Sequence, residues 1–403
     1  MNLNEYLVNS GNAWKNKTPQ FQNTELRKLF DILSNYILEL DIEEHILFFE
    51  VYTSEVYPRN ILLNGRDCIL WDNHFWRLFG HFVNGFFLYQ DKHQNDNNVI
   101  MYLKSIQLLF LSSRFDGIPA LSRFIAEEYK GLEQRIPSHS ESDNILDILK
   151  QNKHIGEFNV GCIFGYCHEI AHVAIKRNNT LAWTVKNLVI DYCKSFVEIQ
   201  ELTKQVDELS DKQDIVRKFV GLDTAFSISN QVLENRDGAI LEEMCCDIMA
   251  LYAISTHLNI QGKSNQEIAD TLGYIELFFL FSWWLASNER FYNTLRMVYE
   301  NPIANDMAFI DENNPYYGFG DKITEELAVR TNFSFGVFSN YSKVPINDVR
   351  ERQKTQIDTF INVMNQANGY DIMERVLSRY AVSKKDFASQ MRHQLKRDQL
   401  VEW

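Results

Sequence analysis

His168, Glu169 and His172 stand together as HEIAH inside Gly165 to Asn179 (GYCHEIAHVAIKRNN), and these types at this spacing suit metal binding and activation of a water. On a helix, residues four apart lie about 40° from each other in rotation and about 6 Å in rise, so two imidazoles can converge on one ion. They make two legs of a tetrahedral zinc site. Glu169 is turned about 100° from His168 at the same level, beside the metal rather than on it, where its carboxylate can hold a water. The surrounding residues from Gly161 to Ile175 are Gly, Cys, Ile, Phe, Tyr, Ala and Val, the mark of a helix enclosed by protein. The plainer reading is two core histidines satisfied by backbone groups. Burying three ionisable groups in one turn costs several kcal/mol unless something pairs them, and a dication does so at once.

A third ligand must come from elsewhere. The candidate stretch runs from Leu241 to Ala250 (LEEMCCDIMA), where Glu243 and Asp247 are four apart on one helical face. Glu243 can ligate the metal while Asp247 hydrogen-bonds a liganding histidine. HEIAH followed by this E-x-x-x-D helix resembles the gluzincin zinc metallopeptidases, the thermolysin-like clan. Carried over residue by residue, the resemblance implies His168, His172 and Glu243 as ligands of one Zn2+ per chain, Glu169 as general base, and Asp247 behind a liganding histidine. It covers about twenty residues in two segments. The 70 residues between His172 and Glu243 look more like intracellular or membrane-associated gluzincins with a helical insertion than like thermolysin. Soluble bacterial proteins of this layout include phage-exclusion proteases that cleave a host protein, a role the resemblance extends to here. Glu242 is the rival third ligand, although its face carries Cys246 rather than an acid. Cys167, Cys245 and Cys246 are thiolate candidates too, but buried free cysteine is usually a small hydrophobe.

The expected mechanism is attack of a zinc-bound hydroxide on a peptide carbonyl, with Glu169 taking the proton and later passing it to the leaving amine. The oxyanion needs a further donor, for which His257, Tyr316, Tyr317 and Arg330 are candidates the sequence does not choose among. In gluzincins a sheet edge upstream of the HExxH helix pairs with the extended substrate. By that analogy a strand from Cys68 to Asp72 would line the cleft; alternatively, the hairpin merely covers the core. His74 and His81, seven apart among aromatics, read as packed histidines.

Helical periodicity predicts helices over 23–49, 98–112, 118–134, 181–202, 236–257, 265–298 and 346–394, with Ser264 and Glu267 forming a capping box. The strand signal is 60–72 (NILLNGRDCILWD), where Asn64-Gly65 separates two apolar runs as a type I′ turn does. Polar breaks at 91–98, 137–144 and 311–320 mark loops, and the charged stretch 200–218 reads as a solvated helix face or a lid. The expected fold is mainly α with a small β-hairpin. A zincin-like core over 158–300, with a helical insertion at 181–235, is flanked by helical regions at 1–157 and 301–403.

With 403 residues, 45% of them hydrophobic, the chain has ample material for a large core. A net charge of -14 with no basic cluster argues against nucleic acid as partner. The first residues lack a secretory pattern, and the longest apolar run, Leu277 to Ala286, is short of a membrane span. Six cysteines without an export signal suit reduced thiols in a cytoplasm. The expected partners are a protein or peptide substrate and a regulatory protein. The competing expectations are a non-catalytic protein stabilised by zinc, and a metal hydrolase acting on a non-peptide bond.

Overall fold

The structure is a computed structural model that describes residues 13–17, 46–53, 58–91, 100, 103–104, 106–107, 155–207, 222–236, 238–286, 288, 327, 330–331, 333–339 and 342–366. Within them the chain is mainly helical with one small sheet. The expected helix over 118–134, the three polar breaks beyond residue 91, and Tyr316 and Tyr317 lie outside the described residues.

The strands are β1 (Ala13–Lys17), β2 (Ile46–Thr53), β3 (Arg59–Leu63) and β4 (Arg66–Asp72), in the order β1-β2-β4-β3. Asn64 and Gly65 both have positive φ, 51° and 77°, as a type I′ turn requires, and they close the β3–β4 hairpin. Residues 46–49, expected at the end of a helix, instead open β2 and pair parallel with β4, Leu47 opposite Cys68 and Phe49 opposite Leu70. A short apolar run has no period long enough to tell strand from helix, and pairing decides. One face of the sheet gathers Val51, Leu63, Cys68 and Leu70, with Leu47, Phe49 and Ile61 packed against them. That face follows from the two-residue alternation of strands.

Two compact units make up the chain. The first joins residues 1–73, 159–279 and 325–354. It contains the sheet, most of α2 (Ile155–Arg177), α3 (Asn179–Asp207), α4 (Leu222–Glu234), α5 (Ala239–Ile260), α6 (Asn265–Gly273) and the helical residues 333–339. α2 is tied to the hairpin by Arg177 Nη2, 2.6 Å from Asp67 Oδ2, by Lys176 donating to Asn60, and by Tyr166 edge-on to Trp71 at 5.5 Å. α3 packs on both α4 and α5. α5 is buried on nearly every side, which its composition (Leu, Met, Cys, Ile, Ala) permits.

The capping box is present: Ser264 Oγ accepts from the Glu267 amide, and the Glu267 carboxylate accepts from the Ser264 amide at 2.9 Å. The helix expected over 265–298 is interrupted, however. α6 stops at Gly273, a turn follows at 274–275, and residues 276–286 are helical again. Arg352 packs against this turn: a Cβ on Gly273 would lie 2.5 Å from its Cδ, and its guanidinium bonds the Tyr274 hydroxyl and Asp270. Asn265–Ala286 is the described stretch apolar enough to cross a membrane by composition; it is largely buried in protein.

The second unit comprises residues 74–158, 280–324 and 355–403. Its described core is aromatic. Phe75, Phe79 and Phe82 of α1 (Asn73–Asp91) surround Phe281, with centroids 5.1, 5.3 and 5.4 Å away. Trp284 stacks on Phe281, and Phe360 of α7 (Ile346–Gln366) reaches Phe82. His74 is buried, and burial, then Arg77, lowers the pKa of His81 to about 4, so His81 is a packed neutral imidazole.

Candidate metal centre

The pitch of α2 places His168 and His172 on one face, with ring centroids 5.0 Å apart. α5 faces them with Glu242, Glu243 and Asp247. Glu243 lies between the rings: its Oε2 is 3.2 Å from His168 Nε2 and its Oε1 is 3.3 Å from His172 Nε2. One donor atom from each of His168, His172 and Glu243 falls within 4.8 Å of the others, and among the described residues this is the group of His, Cys, Asp and Glu able to hold a metal ion. Two imidazole nitrogens and one carboxylate oxygen are a donor set that fits zinc.

Each ring's other nitrogen lies beside a different carboxylate. His168 Nδ1 lies 2.8 Å from Asp247 Oδ1, and His172 Nδ1 lies 2.8 Å from Glu242 Oε1. A carboxylate at Nδ1 fixes the tautomer and leaves the Nε2 lone pair for an ion. Asp247 thus lies beside His168. Glu242, the rival for third ligand, instead meets the ring nitrogen of His172 that points away from Glu243. The two glutamates are neighbours on α5, about 100° apart, so they approach the same imidazole at different atoms.

Arg330, helical like Leu327 and Thr331, completes the cluster. Its Nη1 is 2.8 Å from Glu243 Oε2, its Nε donates to Asp247 Oδ2 at 2.8 Å, and its Nη2 donates to Asp247 Oδ1 at 3.1 Å. The Phe279 ring lies 6.0 Å from its guanidinium carbon. As an oxyanion donor Arg330 is already engaged, since three of its nitrogens are taken by carboxylates. His257 is too distant to serve as that donor. It sits fourteen residues, about 21 Å, along α5 from Glu243, and its Nε2 meets Gln261.

Burial and charge set the protonation states. Burial would lower the pKa of His168, but Asp247 and Glu243 raise it to about 10. Burial also acts on Glu243, yet Arg330 and the two imidazoles outweigh it and hold the carboxyl far below the usual range. Glu169 responds the other way: burial lifts its pKa, only partly opposed by His168 and His172. Burial likewise keeps Cys167, Cys245 and Cys246 as thiols, pushing Cys245 up to about 12, and all six cysteines are free and buried. None of the six joins the metal-capable group.

Phe164 and Phe279 wall the centre, with Phe164 6.3 Å from the His168 ring and 5.2 Å from Phe279. In the sequence both read as ordinary core, and no local signal sets them apart. The charged face over 200–218 is helical to Asp207, the rest lying outside the described residues. β4, the strand expected to line a cleft, is interior: β2 holds one side and β3 the other, so its backbone groups are already paired. Among the described residues, the hairpin's free edge belongs to β3.

Compared with protein-family models, curated proteins and solved structures, the chain matches none.

Proposed function

We propose that this chain is an intracellular zinc-dependent metallopeptidase that hydrolyses peptide bonds in a restricted set of proteins. The observation that carries the reading is the meeting of His168, His172 and Glu243 from two separate helices within coordination reach of one ion. Zinc held there supplies a water acidic enough to ionise near neutral pH and a Lewis acid for the carbonyl. The chain's own residues do the rest. Asp247 and Glu242 hold the imidazoles with Nε2 directed inward. Glu169, a buried carboxyl whose proton affinity is raised, is matched to take a proton and return it to a leaving amine. A purely structural metal site has no use for such a group beside an open position.

Two features support limited specificity and an intracellular setting. The chain commits long segments outside the two site helices, and its described cysteines are free and buried. The test is proteomic: compare new protein N-termini in cells expressing the native chain and Glu169→Gln. New termini with the native chain alone support a peptidase. Identical termini, with zinc and fold retained in both, would leave a non-catalytic zinc protein or a hydrolase of another bond.

A further inference from the structure

We infer that Arg330 is a positioning residue of the metal centre: by holding Glu243 Oε2 and both oxygens of Asp247 on one guanidinium, it leaves Glu243 a single oxygen for the ion. The inference rests on the metal reading above and concerns how that centre is kept open.

Arg330 meets Glu243 through Nη1 at 2.8 Å, and Asp247 through Nε at 2.8 Å and Nη2 at 3.1 Å. The guanidinium is planar and rigid, so these contacts fix the two carboxylates relative to each other as well as to the arginine. Glu243 and Asp247 are like charges four apart on α5, an arrangement that repels without a cation between them. Arg330 is 12% exposed and Asp247 fully buried, so the attraction between these two is weakly screened, while Glu243 keeps part of its carboxylate, 32% exposed, toward solvent. A lysine offers one point charge on a flexible stem and cannot span both acids in this way.

The consequence is a coordination number. Arg330 already takes one lone pair of Oε2 and draws charge from it, so that oxygen is the poorer donor to an ion, and binding through both oxygens is disfavoured while the ion pair stands. While the ion pair stands, Glu243 Oε1, beside His172 Nε2, is the oxygen left for the metal. Three protein donors then leave the fourth position to water, as a hydrolytic centre requires. The same arginine keeps Asp247 aimed at His168 Nδ1.

The experiment uses the full-length chain, its Arg330→Gln and its Arg330→Lys. Zinc affinity is read by competition with a chromophoric chelator, and coordination by the visible spectrum of the cobalt(II) form. Cobalt bands are strong in four-coordinate sites and weak in five-coordinate ones. We expect strong bands in the native chain, weaker bands in both variants, and a loss of zinc affinity of about 10- to 100-fold in Arg330→Gln, with partial recovery in Arg330→Lys. If Arg330→Gln gives no cooperative melt, Arg330→Lys alone decides through its spectrum. Native cobalt spectra in every folded variant would overturn the inference whatever happens to affinity, because a merely structural ion pair has no hold on coordination number. Failure of the native chain to bind zinc or cobalt is a different result and would remove the metal centre itself.

Discussion

Two buried regions of this chain hold together by different physics. Around α1 the contacts are aromatic, Phe75, Phe79 and Phe82 against Phe281, and any side chain of the right volume satisfies much of what the region needs. Around His168 and Glu243 every contact names an atom: Nδ1 to one carboxylate, Nε2 toward another, one guanidinium edge to each acid. The first region is expected to tolerate changes of identity that keep volume; at His168, Glu243 and Asp247 even changes that preserve shape are expected to be costly. Burial stabilises the one through area, and complementary charge stabilises the other against desolvation.

The largest expected effect is on metal content. Native protein should carry about one zinc per chain, His168→Ala and Glu243→Ala should carry almost none after dialysis, and Phe82→Ala should keep its full complement. Elemental analysis decides, and zinc unaffected by His168→Ala would end the assignment of the centre.

Next comes the contrast between shape and charge. Asp247→Asn is nearly isosteric, yet it removes a charge facing His168 and Arg330 and should cost about 3–5 kcal/mol in chelator-treated protein. Leu78→Met, at a fully buried position of α1, should cost under about 1.5 kcal/mol. Urea titrations compare them, and equal costs would erase the distinction between the regions.

A smaller effect comes from an acid buried without such compensation. Glu276 has the Gln353 amide as its hydrogen-bond partner at 2.9 Å, and burial lifts its pKa to about 8. A carboxyl with a raised folded-state pKa binds its proton more tightly when folded. Its contribution is favourable below the unfolded value of about 4.3 and is lost as pH rises toward the folded one. Glu276→Gln should therefore match the native melting temperature near pH 4 and exceed it increasingly up to pH 8, by calorimetry. A gap that does not vary with pH would show that Glu276 is not desolvated as described.

The smallest effect is expected at Glu242, whose side chain is 37% exposed. Glu242→Ala should keep zinc stoichiometry and weaken affinity about tenfold, the low end for a residue that holds a liganding histidine. Complete loss of zinc would make Glu242, not Glu243, the ligand.

Several features are legible in the residues because they are local. Asn64-Gly65 reads as a hairpin turn because the backbone needs positive φ at both positions. Ser264 and Glu267 read as a cap because three residues bring each side chain to the other's amide. The start of β2 and the break at Gly273 depart from the helical pattern of their sequences. In the first, pairing with β4 decides the structure of a short apolar run; at the second, the turn packs against Arg352, which comes from far along the chain.

The sequence by itself determined that His168 and His172 share a face of one helix, and Glu243 and Asp247 a face of another. A helix repeats every 3.6 residues wherever it lies. Only the tertiary structure decided that these two faces meet, that Glu242 takes the back of His172, that β4 is enclosed rather than free, and that Arg330 spans Glu243 and Asp247. Those outcomes join residues tens of positions apart, and their stability comes from burial and charge pairing after the chain has folded. No local backbone preference encodes them.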